Sequence, residues 1–354
     1  MNTTAASPLS INPDSPWLAP LAGFSDLPFR LLCRGEGASV ACTEMVSAKG
    51  LIYGLKRKEK GGGTEDLLVT TTDDTPLVVQ LFGEDPDFLA QAVEVLRERG
   101  FSYFDLNMGC SVPKVCKSGA GAALLRDPAQ ALAVAGAMLK AAEPGCAGCK
   151  IRLGWDASSE IYLDLAKALE DAGSAWITLH PRFARQGFGG SADTAALEKL
   201  SRRVDIPVLA SGDLFSAEDA IRRLETGVRS VMFARGALSN PAIFRRYLAI
   251  RQGTPLPGVL PPEELLALIR RHAKLARLHC PEKKNRKRRA KNREVHSGYE
   301  PALLKMRTMV PRYVRHLPGV KYLRQSMARC ESWDGLENLL RDFFSALPTS
   351  NDEK

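Results

Sequence analysis

The chain has 354 residues, 45% of them apolar and 25% charged, with 29 glycines and 22 prolines. Those proportions exclude collagen-like, low-complexity and disordered classes, and the length suffices for one large domain with a smaller one beside it. Lysine and arginine number 49 against 40 acidic residues, a net +9, and the excess is uneven: residues 260–354 hold 21 basic and 11 acidic residues, leaving the first 259 at −1.

That asymmetry points to a polyanionic partner, nucleic acid foremost, the alternative being a solvated basic face with no partner. No run approaches ~20 uninterrupted apolar residues, so a membrane span is excluded. Residues 1–16, read as an N-terminal tail, lack the basic and apolar stretches of a secretory signal. Eight irregularly spaced cysteines do not resemble a disulfide framework, and a reducing cytoplasm is the expected compartment.

From residue 17 the chain alternates short apolar runs with longer helical patterns. Strands are predicted at 17–21, 39–43, 77–81, 103–107, 149–153, 175–179, 207–210 and 230–233, with helical periodicity at 85–99, 128–142, 160–172 and 217–226. Continuous apolar runs, each followed by a helix, suit a buried parallel sheet. Eight such units fit a closed (β/α)8 TIM barrel over 17–252; an open doubly wound sheet is the alternative, and rarely needs eight. A helix over 237–251 ends the barrel. Residues 253–262 form a Pro/Gly-rich linker, and the remainder has no strand-like run. Helices are expected at 263–278, 300–314, 319–328 and 333–347, an all-helical domain over 263–348 before a short tail, 349–354. Between its first two helices, residues 282–293 carry eight basic and one acidic side chain, an insertion expected to be extended or mobile because like charges repel.

Barrel chemistry sits at the C-terminal ends of the strands. There the sequence delivers Pro20, Leu21 and Ala22 after the first strand, Gln80 on the third, Asn107 and then Cys110 after the fourth, and Lys150 on the fifth. His180 and Arg182 follow the sixth, Ser211, Gly212 and Asp213 the seventh, Ala234 and Arg235 the eighth. Any one has a bland explanation; Gln80 or Asn107 could satisfy backbone, and His180 could be a core histidine. Lys150 within an apolar strand is harder to dismiss, since an unpaired buried ammonium is costly. Jointly they suggest flavin chemistry. Turns before helices near strands seven and eight offer N–H groups to a phosphate, and Arg235 adds a cation. A mid-barrel lysine suits the N1/O2 edge of an isoalloxazine, and Gln80 its pyrimidine edge. Without a strand–GxGxxG–helix fingerprint, a mononucleotide is favoured over a dinucleotide. Cys146 and Cys149 have CxxC spacing, but a lone pair favours buried structural thiols over a metal site, and no metal is expected. Cys116 is read as a loop residue.

Five ordered motifs then resemble one family: Pro20-Leu-Ala-Gly-Phe-Ser-Asp-Leu-Pro-Phe-Arg30, Val79-Gln-Leu-Phe-Gly83, Asp105-Leu-Asn-Met-Gly-Cys110, Lys117-Ser-Gly-Ala-Gly-Ala-Ala-Leu-Leu125 and Lys150-Ile-Arg-Leu-Gly-Trp155. They are similar to the FMN-dependent tRNA-dihydrouridine synthases, bacterial type, over about 17–244. Tyr313-Val-Arg-His-Leu-Pro-Gly-Val-Lys-Tyr-Leu-Arg324 looks like that family's RNA-binding bundle. The resemblance implies reduction of the C5=C6 bond of specific uridines: NADPH reduces FMN, the flavin N5 passes hydride to C6, and Cys110 protonates C5. A thiol with a pKa near ~8.5 is mostly protonated at neutral pH and fits that task. It also implies FMN contacts from Pro20, Leu21, Ala22, Gln80, Lys150, His180, Ser211, Gly212, Asp213, Ala234 and Arg235, and contacts to the flipped uracil from Asn107 and Arg182. RNA, foremost tRNA, is the implied partner; no obligate protein partner is evident. Ser111, Ser211, Ala234 and Phe183-Ala184 depart from the family's usual residues, as does the basic insertion. Ribosomal or other RNA, a small-molecule FMN oxidoreductase, and a non-catalytic RNA-binding protein are the competing readings.

Overall fold

The computed structural model describes residues 6–56, 63–254, 260–280 and 300–347. The basic insertion 282–293, the tail 349–354 and much of the expected linker lie outside the described residues. Nine parallel strands follow one another: β1 (Trp17–Leu18), β2 (Val40–Cys42), β3 (Val46–Ser47), β4 (Leu77–Phe82), β5 (Tyr103–Met108), β6 (Ala147–Arg152), β7 (Ile177–His180), β8 (Val208–Ser211) and β9 (Ser230–Phe233). β1 pairs with both β2 and β9, and β2 pairs with β4, so eight strands close on themselves. β3 only extends the rim beside β4. The closed parallel barrel expected from the sequence is therefore present, and every one of the eight predicted strands has its counterpart.

The barrel interior is layered. Trp17, Val40, Val78, Trp176, Leu209 and Met232 are buried together as an apolar floor, with the Trp17 and Trp176 rings edge-on at 5.5 Å. Polar side chains occupy the layer above. Gln80 pairs in register with Asp105, and Asn107 with Lys150, so all four face inward on neighbouring strands. A larger apolar cluster fills the space between strands and outer helices. Those helices start where sequence tells them to: Asp26, Asp85, Asp127 and Asp193 each cap a first turn through the side chain, and Ser216 with Asp219 forms a capping box.

Three details differ from expectation. The first strand ends at Leu18, because Pro20 offers no N–H and the chain turns, with Phe24 and Ser25 N–H donating to the Leu21 carbonyl. The single helix expected over 237–251 is two, Arg235–Ser239 and Ile243–Gln252, interrupted at extended Asn240 before Pro241. Cys116 ends a one-turn helix, Pro113–Cys116, and is not in a loop.

Past Gln252 the described residues contain helices Pro262–His279, Pro301–Tyr313, Val320–Ala328 and Trp333–Ser345. They rest on the barrel at helix Leu27–Gly35: the buried His272 ring lies 5.9 Å from Phe29, its Nδ1 2.8 Å from the Tyr313 hydroxyl, and Arg271 pairs with Glu36. Two side chains of the Pro301–Tyr313 helix reach the turn at the mouth, Arg312 lying 4.8 Å from the Phe24 ring. Lys305 donates to the Gly23 carbonyl at 2.6 Å and pairs with Asp26 at 3.1 Å. No helix among the described residues is long and apolar enough to cross a membrane.

Candidate active site

The candidate residues gather at the C-terminal mouth of the barrel. Pro20, Leu21 and Ala22 form the turn above β1, pinned by the Ser25 hydroxyl, which accepts from the Leu21 N–H at 2.9 Å. The next residue, Gly23, has a φ of +79° and open space where a side chain would be. Its N–H donates to Glu44.

Gln80 is fully buried and Asn107 nearly so. Asn107 Nδ2 donates to Gln80 Oε1 at 2.7 Å, while its Oδ1 accepts the N–H groups of Gly109 at 3.1 Å and Cys110 at 2.9 Å. The loop bearing Cys110 is thus tied to β5 by a carboxamide. Cys110 is half-buried. Beside it, Arg152 donates to the carbonyls of Gly109, Phe183 and Gly187 at 2.7, 3.2 and 3.0 Å. The Cys116 thiol points back to the Cys110 carbonyl at 3.4 Å, and burial, then its neighbour Cys110, pushes its pKa up.

The Lys150 side chain makes no hydrogen bond or ion pair among the described residues. Burial pushes its pKa down and Arg152 adds to that, while Asp105 pulls it back. Burial likewise raises Asp105, opposed by Gln80 and by Lys150. His180 is pushed far below its ordinary value, by burial first and then by Lys150, Arg152, Arg182 and Arg235. Its imidazole is neutral at physiological pH, with Nε2 facing Arg182 Nη1 at 3.3 Å.

Arg182, 1% exposed, donates to both oxygens of Asp213 at 2.9 and 2.5 Å and to the carbonyls of Gly189 and Gly190. Asp213 sits at φ +53° and also accepts from the Ala192 N–H at 2.9 Å and Arg235 at 3.1 Å. Burial works to raise its pKa, but Arg182 and the Ala192 N–H outweigh that and hold it below the ordinary value. Gly212 is obligatory here: with φ +98°, a Cβ on it would lie 2.6 Å from the His180 ring. Ser211 ends β8, and Ala234 precedes the short helix begun by Arg235. The Arg235 guanidinium lies 4.5 Å from the exposed Phe188 ring and 4.9 Å from Phe215.

All the expected site residues therefore meet at one mouth. Asp105, Arg152, Phe188 and Phe215 belong to the same constellation and were not singled out from sequence. For Asp105 and Arg152 a signal existed: both are charges inside apolar strand runs, as Lys150 is. Phe188 and Phe215 stand in loops with nothing to mark them.

The arrangement suits a planar, anionic cofactor. It offers an ammonium with no partner among the described residues, a half-exposed guanidinium, a neutral imidazole, and turns of small residues that leave backbone accessible. Cys146 and Cys149 lie apart from it, buried at the start of β6.

The dihydrouridine synthase family model matches residues 17–347. The tRNA-dihydrouridine synthase B of Pseudomonas aeruginosa is 33% identical over 332 residues, covering 93% of this chain and 92% of that protein. A probable tRNA-dihydrouridine synthase of Mycobacterium tuberculosis is 31% identical over 94% of this chain and 82% of its own length. The solved structure of morphinone reductase covers 71% of this chain and 88% of its own, with 14% identity and a TM-score of 0.48, a likeness too slight to build on.

Proposed function

Because the chain belongs to the dihydrouridine synthase family, we propose that it reduces specific uridines of tRNA to 5,6-dihydrouridine, with FMN in the barrel mouth and NADPH as reductant. The observation that supports this most is the meeting, at one mouth, of partner-less Lys150 with a cysteine loop tied down by Asn107. When bound, FMN takes hydride from NADPH and supplies hydride to C6 of the uracil.

The chain's own residues would do the rest. Lys150 and Gln80 would hold the pyrimidine edge of the ring, the backbone of Pro20, Leu21 and Ala22 its face, and neutral His180 a hydrogen bond without added charge. Ser211, Gly212, Asp213, Ala234 and Arg235 would hold the phosphate end. Asn107 and Arg182 would frame the flipped uracil, Asn107 through the Cys110 loop and Arg182 through the loop 183–193. Cys110 Sγ would deliver the proton to C5. A base must leave its stack to reach such depth, so the basic excess of the C-terminal helices and of residues 282–293 would hold the surrounding RNA in the cytoplasm. We read 17–252 as the catalytic barrel and 263–348 as the RNA-binding region.

Deleting the gene and mapping dihydrouridine across total RNA tests the proposal. The expected result is loss at defined tRNA positions, restored by the wild-type gene and not by Cys110→Ala. An unchanged map overturns it, and loss confined to ribosomal RNA would change the substrate.

A further inference from the structure

Beneath the mouth a chain of hydrogen bonds continues below Gln80 and Asn107 to two residues that the proposed reaction does not use, Asp105 and Trp176. Gly148 on β6 begins it. A Cβ there would lie 2.3 Å from the Trp176 ring, so only glycine lets the indole lie across the barrel floor. Trp176 Nε1 then donates to Asp105 Oδ1 at 3.2 Å, and Gln80 Nε2 donates to Asp105 Oδ2 at 2.6 Å. Gln80 Oε1 accepts from Asn107 at 2.7 Å, and Asn107 Oδ1 accepts the N–H groups of Gly109 and Cys110.

Both ends of this chain fix its sense when Asp105 is ionised, the form that Gln80, Lys150 and the Trp176 indole favour against burial. At the top are two backbone N–H groups, which can only donate. At the bottom are an indole N–H and a carboxylate, fully buried, with each oxygen facing a donor. Between them each carboxamide has one orientation that satisfies both neighbours.

We infer that Asp105 is a positioning residue for Cys110: accepting at both oxygens, it fixes the amide of Gln80, hence that of Asn107, and hence the backbone that presents the thiol. An amide at position 105 cannot do this. If its oxygen faces Gln80, its NH2 meets the indole N–H. If it turns, Gln80 and Asn107 must turn in sequence, and the Asn107 NH2 then faces the Gly109 and Cys110 N–H groups. Buried donors opposed in this way carry a desolvation penalty with no return.

Hydrogen–deuterium exchange on the full chain tests this without RNA or turnover. In Asp105→Asn, the Gly109 and Cys110 amides should exchange on the order of tenfold faster, the factor equal to one ordinary hydrogen bond, while the amides of β6 hold. Trp176→Phe alone should leave them protected. Adding Trp176→Phe to Asp105→Asn should slow exchange again, because the opposing donor is gone and the oxygen can face Gln80. Wild-type exchange in Asp105→Asn, or a double variant as labile as the single, overturns the inference. If Asp105→Asn fails to fold, Gln80→Leu removes the middle link without touching a charge, and unchanged exchange there overturns it equally. The effect on proton delivery rests on the proposed reaction; the exchange readout does not, so either can fail alone.

Discussion

The barrel mouth and the C-terminal helices both carry cations, and they hold them in opposite ways. At the mouth, Arg182 and Arg152 are almost wholly buried, and their donors are directed at named carbonyls and at Asp213. In the helices, Arg270 pairs with Glu337 at the surface, both about half exposed, and Arg277 lies 5.1 Å over the Trp333 ring beside exposed Leu278. Buried charges of the first kind fix geometry, because their direction cannot change without stranding a partner. Exposed charges of the second kind contribute little to stability but keep their field available to a polyanion. The same residue types thus serve chemistry in one region and attraction in the other. Four experiments would break or sharpen that contrast.

The largest effect should come from Cys110→Ala. Removing a general acid lowers the rate by about 10²–10⁴, so dihydrouridine formation should collapse. NADPH oxidation by the flavin should persist, because no proton to C5 is needed for it. Cys116→Ala should be nearly silent. Equal loss from both variants would mean the acid is another group.

Next is Arg182→Met. It leaves Asp213 with only Arg235 and the Ala192 N–H and frees the loop 183–193, so the loss should stay below the roughly 3 kcal/mol of a fully buried ion pair left with one charge unpaired. The pH dependence has a definite sign. Asp213 is held below its ordinary value in the folded state, so the pair's contribution is present above the unfolded carboxyl value of about 3.9. It is lost as pH falls through the lower, folded value. Urea midpoints of wild type and variant should differ most at pH 7, and the gap should narrow as pH falls below the unfolded carboxyl value of about 3.9. A gap independent of pH would assign the loss to packing alone.

How much of this was legible in the sequence follows the same division. The eight strands read clearly because each is an apolar run between turn residues, and strand-end side chains follow once the barrel is drawn. The floor did not. Trp176 reads as an ordinary core residue until Gly148 is seen to make room for it, a pairing across strands that no local pattern announces. Asp105 is masked in the sequence because a carboxylate in a strand has the pattern of a half-exposed position, and only the closed barrel turns it inward. The break at Asn240-Pro241 was legible in principle, since proline cannot continue a helix; apolar periodicity on either side masked it. Phe188 and Phe215 could not be found at all, because their meeting with Arg235 joins two loops to the start of a helix.

Lys150→Ala ranks third. Its ammonium has no partner among the described residues, so its removal should leave the fold intact, unlike loss of Arg182. Flavin retention or its rate of reduction by NADPH should fall on the order of tenfold, the worth of one charged hydrogen bond. Wild-type occupancy together with wild-type reduction would remove Lys150 from the cofactor site and weaken the flavin reading itself.

The smallest effect at any single salt concentration should come from the basic insertion, and it isolates the attractive half of the contrast. Residues 282–293 carry a net +7 and lie outside the described residues, so the expectation rests on charge alone. If they neutralise RNA phosphates, binding should weaken steeply with salt as counterions re-condense, each lost contact lowering the log–log slope by about 0.7 to 0.9. Replacing Lys283, Lys284, Arg286, Lys287, Arg288 and Arg289 with Ser should flatten that slope and raise Kd for RNAs of unrelated sequence alike. Flavin content and NADPH oxidation should be untouched, because the mouth keeps its own cations. Measuring Kd from low to physiological salt for both proteins decides the matter. Superimposable slopes would mean that the insertion does not touch RNA, leaving any electrostatic hold to side chains on the described helices such as Lys274 and Arg277.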